Sequence, residues 1–253
     1  MRAIGLMIMA ALALLAAACS GEKPAATPAE PALPPVEQMT REALLTYLHQ
    51  QLAMNKPDRK PNEEFREKNR RSYFGCLEQF KNDECRFMRC SPYALYAADE
   101  FYLGGAWDDA FKYYTGAFDL IKEEVASTIE KQNTWRAEYE PKEKAGQATE
   151  QDTRHYLFRV CTTSQRLYHN HAEIARILLR YALVFERQQK SAEAANAKAQ
   201  AEEFIKAAAD AYVQYFAARG KLTPLLNPND PKQVSFYFAA LKETDQLLPI
   251  RHL

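Results

Sequence analysis

Residues 91–120 read SPYALYAADEFYLGGAWDDAFKYYTGAFDL, and this stretch decides the fold. Ser91-Pro92 has the form of an N-cap followed by proline in the first helical turn. The helix it predicts stops at Gly104-Gly105, residues that end helices because they accept backbone conformations closed to others. A second helix restarts at Trp107 and carries Ala110, Phe111, Tyr114, Phe118, Ile121 and Val125 at three- and four-residue steps, the spacing of one buried helical face.

The same period runs outward in both directions. Upstream, Leu44, Leu45, Leu48 and Leu52 predict a helix capped by Thr40. Another opens at Pro61-Asn62, with Tyr73, Cys76, Leu77 and Phe80 as its apolar stripe. Downstream, residues 136–149 are polar, contain Pro141 and Gly146, and read as a loop. A helix with Leu157, Val160, Cys161, Ser164 and Tyr168 follows, then a turn at His169-Asn170-His171, then a helix with Ile174, Ile177, Leu178, Tyr181 and Phe185. The alanine-rich residues 191–219 form a further helix through Ala201, Phe204, Ile205, Ala208, Tyr212 and Phe216, with Gly220 as its cap. After the turn at Asn227-Pro228-Asn229, a last helix carries Val234, Tyr237, Phe238 and Leu241. Strict alternation is nearly absent, and only six of the eight glycines lie beyond residue 36, too few to punctuate many short strands. The expectation is an all-α domain of about eight helices, an antiparallel bundle or a short helical-repeat array.

Within residues 91–120 the order of small and aromatic residues resembles the tetratricopeptide repeat, a 34-residue helix–turn–helix unit. Counting from Ser91, Ala98, Phe101, Gly105, Trp107, Ala110, Tyr114 and Ala117 fall where the repeat wants small, aromatic, turn, aromatic, small, aromatic and small residues. Small residues let paired helices approach closely, and aromatics fill the space between pairs. Ala94 and Ala97 depart from the usual Trp and Leu. The resemblance covers about 30 of roughly 217 folded residues, and a lone repeat cannot bury its own faces. It implies a concave face lined by Leu95, Asp99, Tyr102 and Leu103, positions that in the family receive a segment of a partner protein.

The N-terminus carries a different signal. Arg2 precedes an apolar run from Ala3 to Ala18 of 16 residues, shorter than the ~20 that cross a bilayer. Residues 1–18 therefore read as a removable secretory signal. The run ends Leu15-Ala16-Ala17-Ala18-Cys19, which resembles the lipobox of bacterial lipoproteins, with Ala16 in place of the more usual Leu. The resemblance implies lipidation of Cys19 by palmitate-type acyl chains, and Ser20 in place of an Asp implies an outer-membrane destination facing the periplasm. Residues 19–36 hold five of the thirteen prolines and form an extended tether. The folded domain is expected over residues 37–253.

With Cys19 set aside, Cys76, Cys85, Cys90 and Cys161 remain, an even number that suits disulfides in an oxidising compartment. Four cysteines allow three connectivities; the placement of Cys85 and Cys90 around one connector, and of Cys76 and Cys161 on apolar stripes, favours pairing within those two sets. The Cys85-x4-Cys90 spacing lies at the edge of zinc patterns but lacks a second compact ligand pair, and His169 and His171 read as polar turn residues, so no metal site is expected.

Lys and Arg number 33 against 33 Asp and Glu, and the zero balance excludes a broad nucleic-acid grip. Gly-x-Ser-x-Gly, His-Glu-x-x-His and phosphate-cradling glycine loops are absent, and neighbouring acidic pairs such as Asp108-Asp109 point about 100° apart on a helix. No catalytic residue and no cofactor are expected. The reading is an envelope lipoprotein that serves as an interaction scaffold or accessory factor for an assembly or secretion system, meeting the membrane by its anchor and an envelope protein by its helices. A cell-wall-active enzyme or its inhibitor would instead need a carboxylate in a cleft, and a small-ligand carrier an apolar pocket.

Overall fold

A computed structural model describes residues 40–54, 56–83 and 86–238. The expected signal, Cys19, the whole of the expected tether, Cys85 and Leu241 lie outside them. The described residues belong to one compact unit, Pro34–Leu253. They are all-α, built from six long helices: α1 (Arg41–Met54), α2 (Glu63–Gln79), α3 (Arg86–Leu103), α4 (Trp107–Lys144), α5 (Glu150–Arg187) and α6 (Ser191–Leu222). A short 3-10 helix follows at Thr223–Leu225 and, where the last helix is expected, short α- and π-helical segments at Pro231–Gln233 and Val234–Phe238. No helix among the described residues is long and apolar enough to cross a membrane.

Two helix starts stand where the sequence places them: Thr40 accepts from the Ala43 amide at 3.2 Å and Asn62 from Phe65 at 3.0 Å. A further cap, not singled out from the sequence, is Thr149, which forms a reciprocal capping box with Asp152. Four expectations are corrected. Helix α3 begins at Arg86, not at Ser91, because buried Phe87 and Cys90 make the preceding turn worth keeping; Pro92 is tolerated inside it. Helix α4 runs through Pro141 to Lys144, since Tyr139 near its end is buried against Tyr156, rings stacked 4.2 Å apart. The turn at residues 169–171 does not exist: α5 is a single helix of 38 residues, with no Gly or Pro to stop it and buried Tyr168, Asn170 and Ala172 across the expected break. Gly220 is no cap, because α6 continues to bury Leu222 completely.

Helices α2 to α6 pack in chain order, each antiparallel to the one before. Phe65 meets Tyr96 between α2 and α3, and Phe101 stacks on Tyr113 between α3 and α4 at 5.2 Å. From end to end, α4 and α5 are zipped by Tyr181–Thr115 at 3.0 Å, Arg166–Glu124 at 3.0 Å and Gln132–Thr163 at 2.7 Å. The α5–α6 contact is closer still, because α6 offers Ala194, Ala197, Ala201, Ala208, Ala209, Ala211 and Ala218, all buried. Ala98, Ala110 and Ala117, the small residues of the repeat-like stretch, are fully buried as well. Helix α1 breaks the chain order. It lies antiparallel to α6, with Arg41 paired to Asp210 and His49 to Glu202, so the first helix closes the far end of the stack.

The disulfide pairing also differs from expectation. Cys76 on α2 bonds Cys90 on α3, with Cα atoms 5.5 Å apart, and Cys161 is a free, buried thiol. The bridge closes a short loop around the α2–α3 connector and contributes about 3 kcal/mol. Cys161 is pushed up to about 12 by burial, which makes it an inert core residue.

Candidate functional site

The residues expected to line a groove on α3 face inward. Leu95 is buried, and Tyr102 and Leu103 are half-buried. Asp99 accepts a hydrogen bond from the Tyr114 hydroxyl on α4 and stands 3.3 Å from Arg180 on α5. Tyr102 pairs with Arg187 one step further along. Both pairs ascend together, so α3 and α5 run parallel. This face of α3 thus joins the two hairpins, α3–α4 and α5–α6.

The joint is a buried charge network. Glu173, Arg176 and Arg180 lie on one face of α5, at spacings of three and four. The Arg176 and Arg180 side chains are each 5% exposed, and Arg176 pairs with Glu173 at 2.6 Å. Burial raises the Glu173 carboxyl despite that pairing, and burial also holds the Tyr114 phenol well above its usual range. A second buried carboxylate, Glu100, accepts from the Asn62 amide at 2.6 Å and from Arg59, tying the α1–α2 connector to α3. A third, Glu124, is held by Arg166 and Thr128. Each of these carboxylates is committed to a structural partner.

Helix α1 shows how the array receives a helix. Leu44 and Leu48 are fully buried, Leu52 and Tyr47 nearly so, and they press on the α5–α6 hairpin. Two ion pairs at the margin set its register: Arg41 with Asp210, and His49 with Glu202 at 2.8 Å. His49 also donates through Nδ1 to the Leu45 carbonyl at 2.7 Å, and the Glu202 hydrogen bond raises its pKa.

Where the C-terminal end of α1 meets α5 and α6, a half-open cleft of about 420 Å³ remains. Leu52, Leu179, Leu183 and Ile205 form its apolar surface, and His49, Lys56, Arg180, Glu186, Lys198 and Glu202 contribute the charges. Lys198 pairs with Glu186 at 2.6 Å. None of these residues was singled out from the sequence as a site. The one available signal was charge within an apolar helix: Arg176 and Arg180 interrupt the run of Ile174, Ile177 and Leu178, which marks a buried ion needing a partner.

His169 and His171 lie in mid-helix, with His171 against the Phe204 ring and lowered in pKa by burial. Among the described residues no three His, Cys, Asp or Glu side chains converge as a metal site. Compared with known proteins, the chain matches no family model, no curated protein and no solved structure.

Proposed function

We propose that the chain is a lipid-anchored protein of the bacterial envelope whose helical array is a scaffold for another envelope protein. The lipobox-like Leu15-Ala16-Ala17-Ala18-Cys19 and the proline-rich tether support the anchor. The observation that carries the scaffold reading is the seating of α1. A helix docks on α5–α6 through Leu44, Leu48 and Leu52 with charged pairs at its margin, which is the helix-in-groove mode of protein recognition. Stacked helices present extended faces for such contacts, and Ile129 on α4 and Val213 on α6, 41% and 40% exposed, lie on outer faces of this array.

Photo-crosslinking residues at Ile129 and Val213, activated in intact cells and followed by mass identification, test the reading. A discrete adduct with one envelope protein is expected. Adducts only with lipid or with nothing would remove the scaffold role. Mass analysis of the mature N-terminus is expected to give an acylated Cys19; a mature chain cleaved elsewhere and carrying no lipid would remove the anchor.

A further inference from the structure

We infer that the cleft bounded by α1, α5 and α6 binds a single aliphatic chain ending in an anionic headgroup. The site goes beyond the scaffold reading, since it needs no protein partner.

The walls carry the first half of the argument. Leu52 and Ala53 come from α1, Leu179 and Leu183 from α5, and Ala201 and Ile205 from α6, so three helices each contribute an aliphatic pair. The chain has 14 Tyr, 13 Phe and 2 Trp, yet none of them lines this cleft. Among the lining residues the one ring is the His49 imidazole, which is held by the Leu45 carbonyl and Glu202. The aliphatic walls reward methylene groups through the area they remove from water. The volume of about 420 Å³ falls in the range of small-molecule sites, roughly 300–1,000 Å³.

The charges carry the second half. Glu202 is matched by His49 at 2.8 Å and Glu186 by Lys198 at 2.6 Å, while Arg180, which also lines the cleft, is matched by Asp99 at 3.3 Å. Lys56 adds one further cation at the end of α1, so the cleft holds an excess of positive charge while His49 is protonated. The hydrogen bond to Glu202 raises the His49 pKa and favours that state. An aliphatic tail against the walls and one negative charge near Lys56 satisfy both features. A free fatty carboxylate and a single-chain anionic lysophospholipid share this chemistry.

The test uses the full chain in nanodiscs of zwitterionic phosphatidylcholine, titrated calorimetrically with hexanoate, octanoate and decanoate against empty discs. Affinity is expected to rise ~4-fold per added methylene until the cleft is filled. Octanol and octylammonium should bind at least about tenfold more weakly than octanoate. Lys56→Glu should weaken octanoate about tenfold and leave octanol unchanged. Leu183→Trp, at a half-buried wall position, should fill the cleft and abolish both, with helicity checked by circular dichroism. Equal affinity for octanoate and octanol, no dependence on chain length, or undiminished binding in both variants would overturn the assignment. Mass analysis of protein ejected from discs made with native lipid separates the sources: a retained fatty carboxylate supports one, a retained anionic lysophospholipid the other. Protein that retains neither and gives no octanoate heat also overturns it. Ile129 and Val213 do not line the cleft, so this site and the scaffold reading fail separately.

Discussion

The α3–α4 and α5–α6 hairpins turn in the same way with different residues. After α3, the Ala106 amide reaches the Phe101 carbonyl and Gly105 reaches Tyr102, with Gly105 at φ 78°. After α5, Lys190 reaches Phe185 and Gln189 reaches Glu186 in the same pattern, with Gln189 at φ 61°. Both are Schellman-type caps, and so is the turn between α4 and α5 at Gly146. Glycine takes the left-handed conformation without cost, whereas glutamine is strained there. The second hairpin can carry that strain because its alanine face packs on α5 along the full length of α6. The first is the more conspicuous in sequence, and the second is the more closely packed.

Breaking the joint between the hairpins should have the largest effect. Asp99→Ala removes the carboxylate that faces Arg180 and Tyr114, leaving a buried guanidinium short of charge, and should cost about 3 kcal/mol in urea unfolding. Combining it with Arg180→Met should recover part of that loss; strict additivity of the two changes would mean the groups are not coupled.

Exchanging the turn residues sharpens the comparison at a smaller scale. Gly105→Ala should destabilise by about 1 kcal/mol and Gln189→Gly should stabilise by up to about 1 kcal/mol. A preference for glycine over alanine at one position and not at the other would show that the two turns are not equivalent in solution.

The smallest effects are in the pH dependence of two histidines that face α6, one from α1 and one from α5. His49 on α1 has a raised pKa, so its contribution is complete below its unfolded value of ~6.5 and is lost as pH rises through the higher folded value. His171 on α5 is lowered by burial; the unfolded chain takes up a proton near pH ~6.5 that the folded chain refuses, so stability falls as pH drops below that point. His49→Gln should flatten the alkaline limb of the stability profile and His171→Leu the acidic limb. The same limb changing in both variants would contradict the assignment.

Much of the architecture was legible because helices with apolar stripes announce themselves. The all-α class, the break at Gly104-Gly105 and the caps at Thr40 and Asn62 followed from local chemistry. Element boundaries failed where tertiary packing overrode it: buried Tyr139 held α4 together through Pro141, and polar His169-Asn170-His171 imitated a turn that no glycine or proline supported. The disulfide was misassigned for a related reason, since placing Cys76 beside Cys90 requires knowing that α3 starts before Ser91. The cleft was invisible because its walls come from His49, Leu52, Ala53 and Lys56, from Leu179 to Glu186 and from Lys198 to Ile205, which meet only when α1 crosses to the far end of the stack. No helical period encodes that crossing; it rests on pairs such as Arg41–Asp210 that are far apart in the chain.

The claim that α5–α6 is a seat for a helix is tested most directly by hydrogen exchange, read by mass spectrometry, on the full chain carrying Leu48→Asp. The substitution puts a charge at a fully buried position of α1. Faster exchange is expected over α1 and the facing residues 201–212 of α6, with α3 and α4 unchanged, and a synthetic peptide spanning Arg41–Met54 added in trans should restore protection to α6. A peptide that restores nothing, or a loss of protection that spreads through α3 and α4, would show that α1 is part of one inseparable core and not a helix held in a receiving groove.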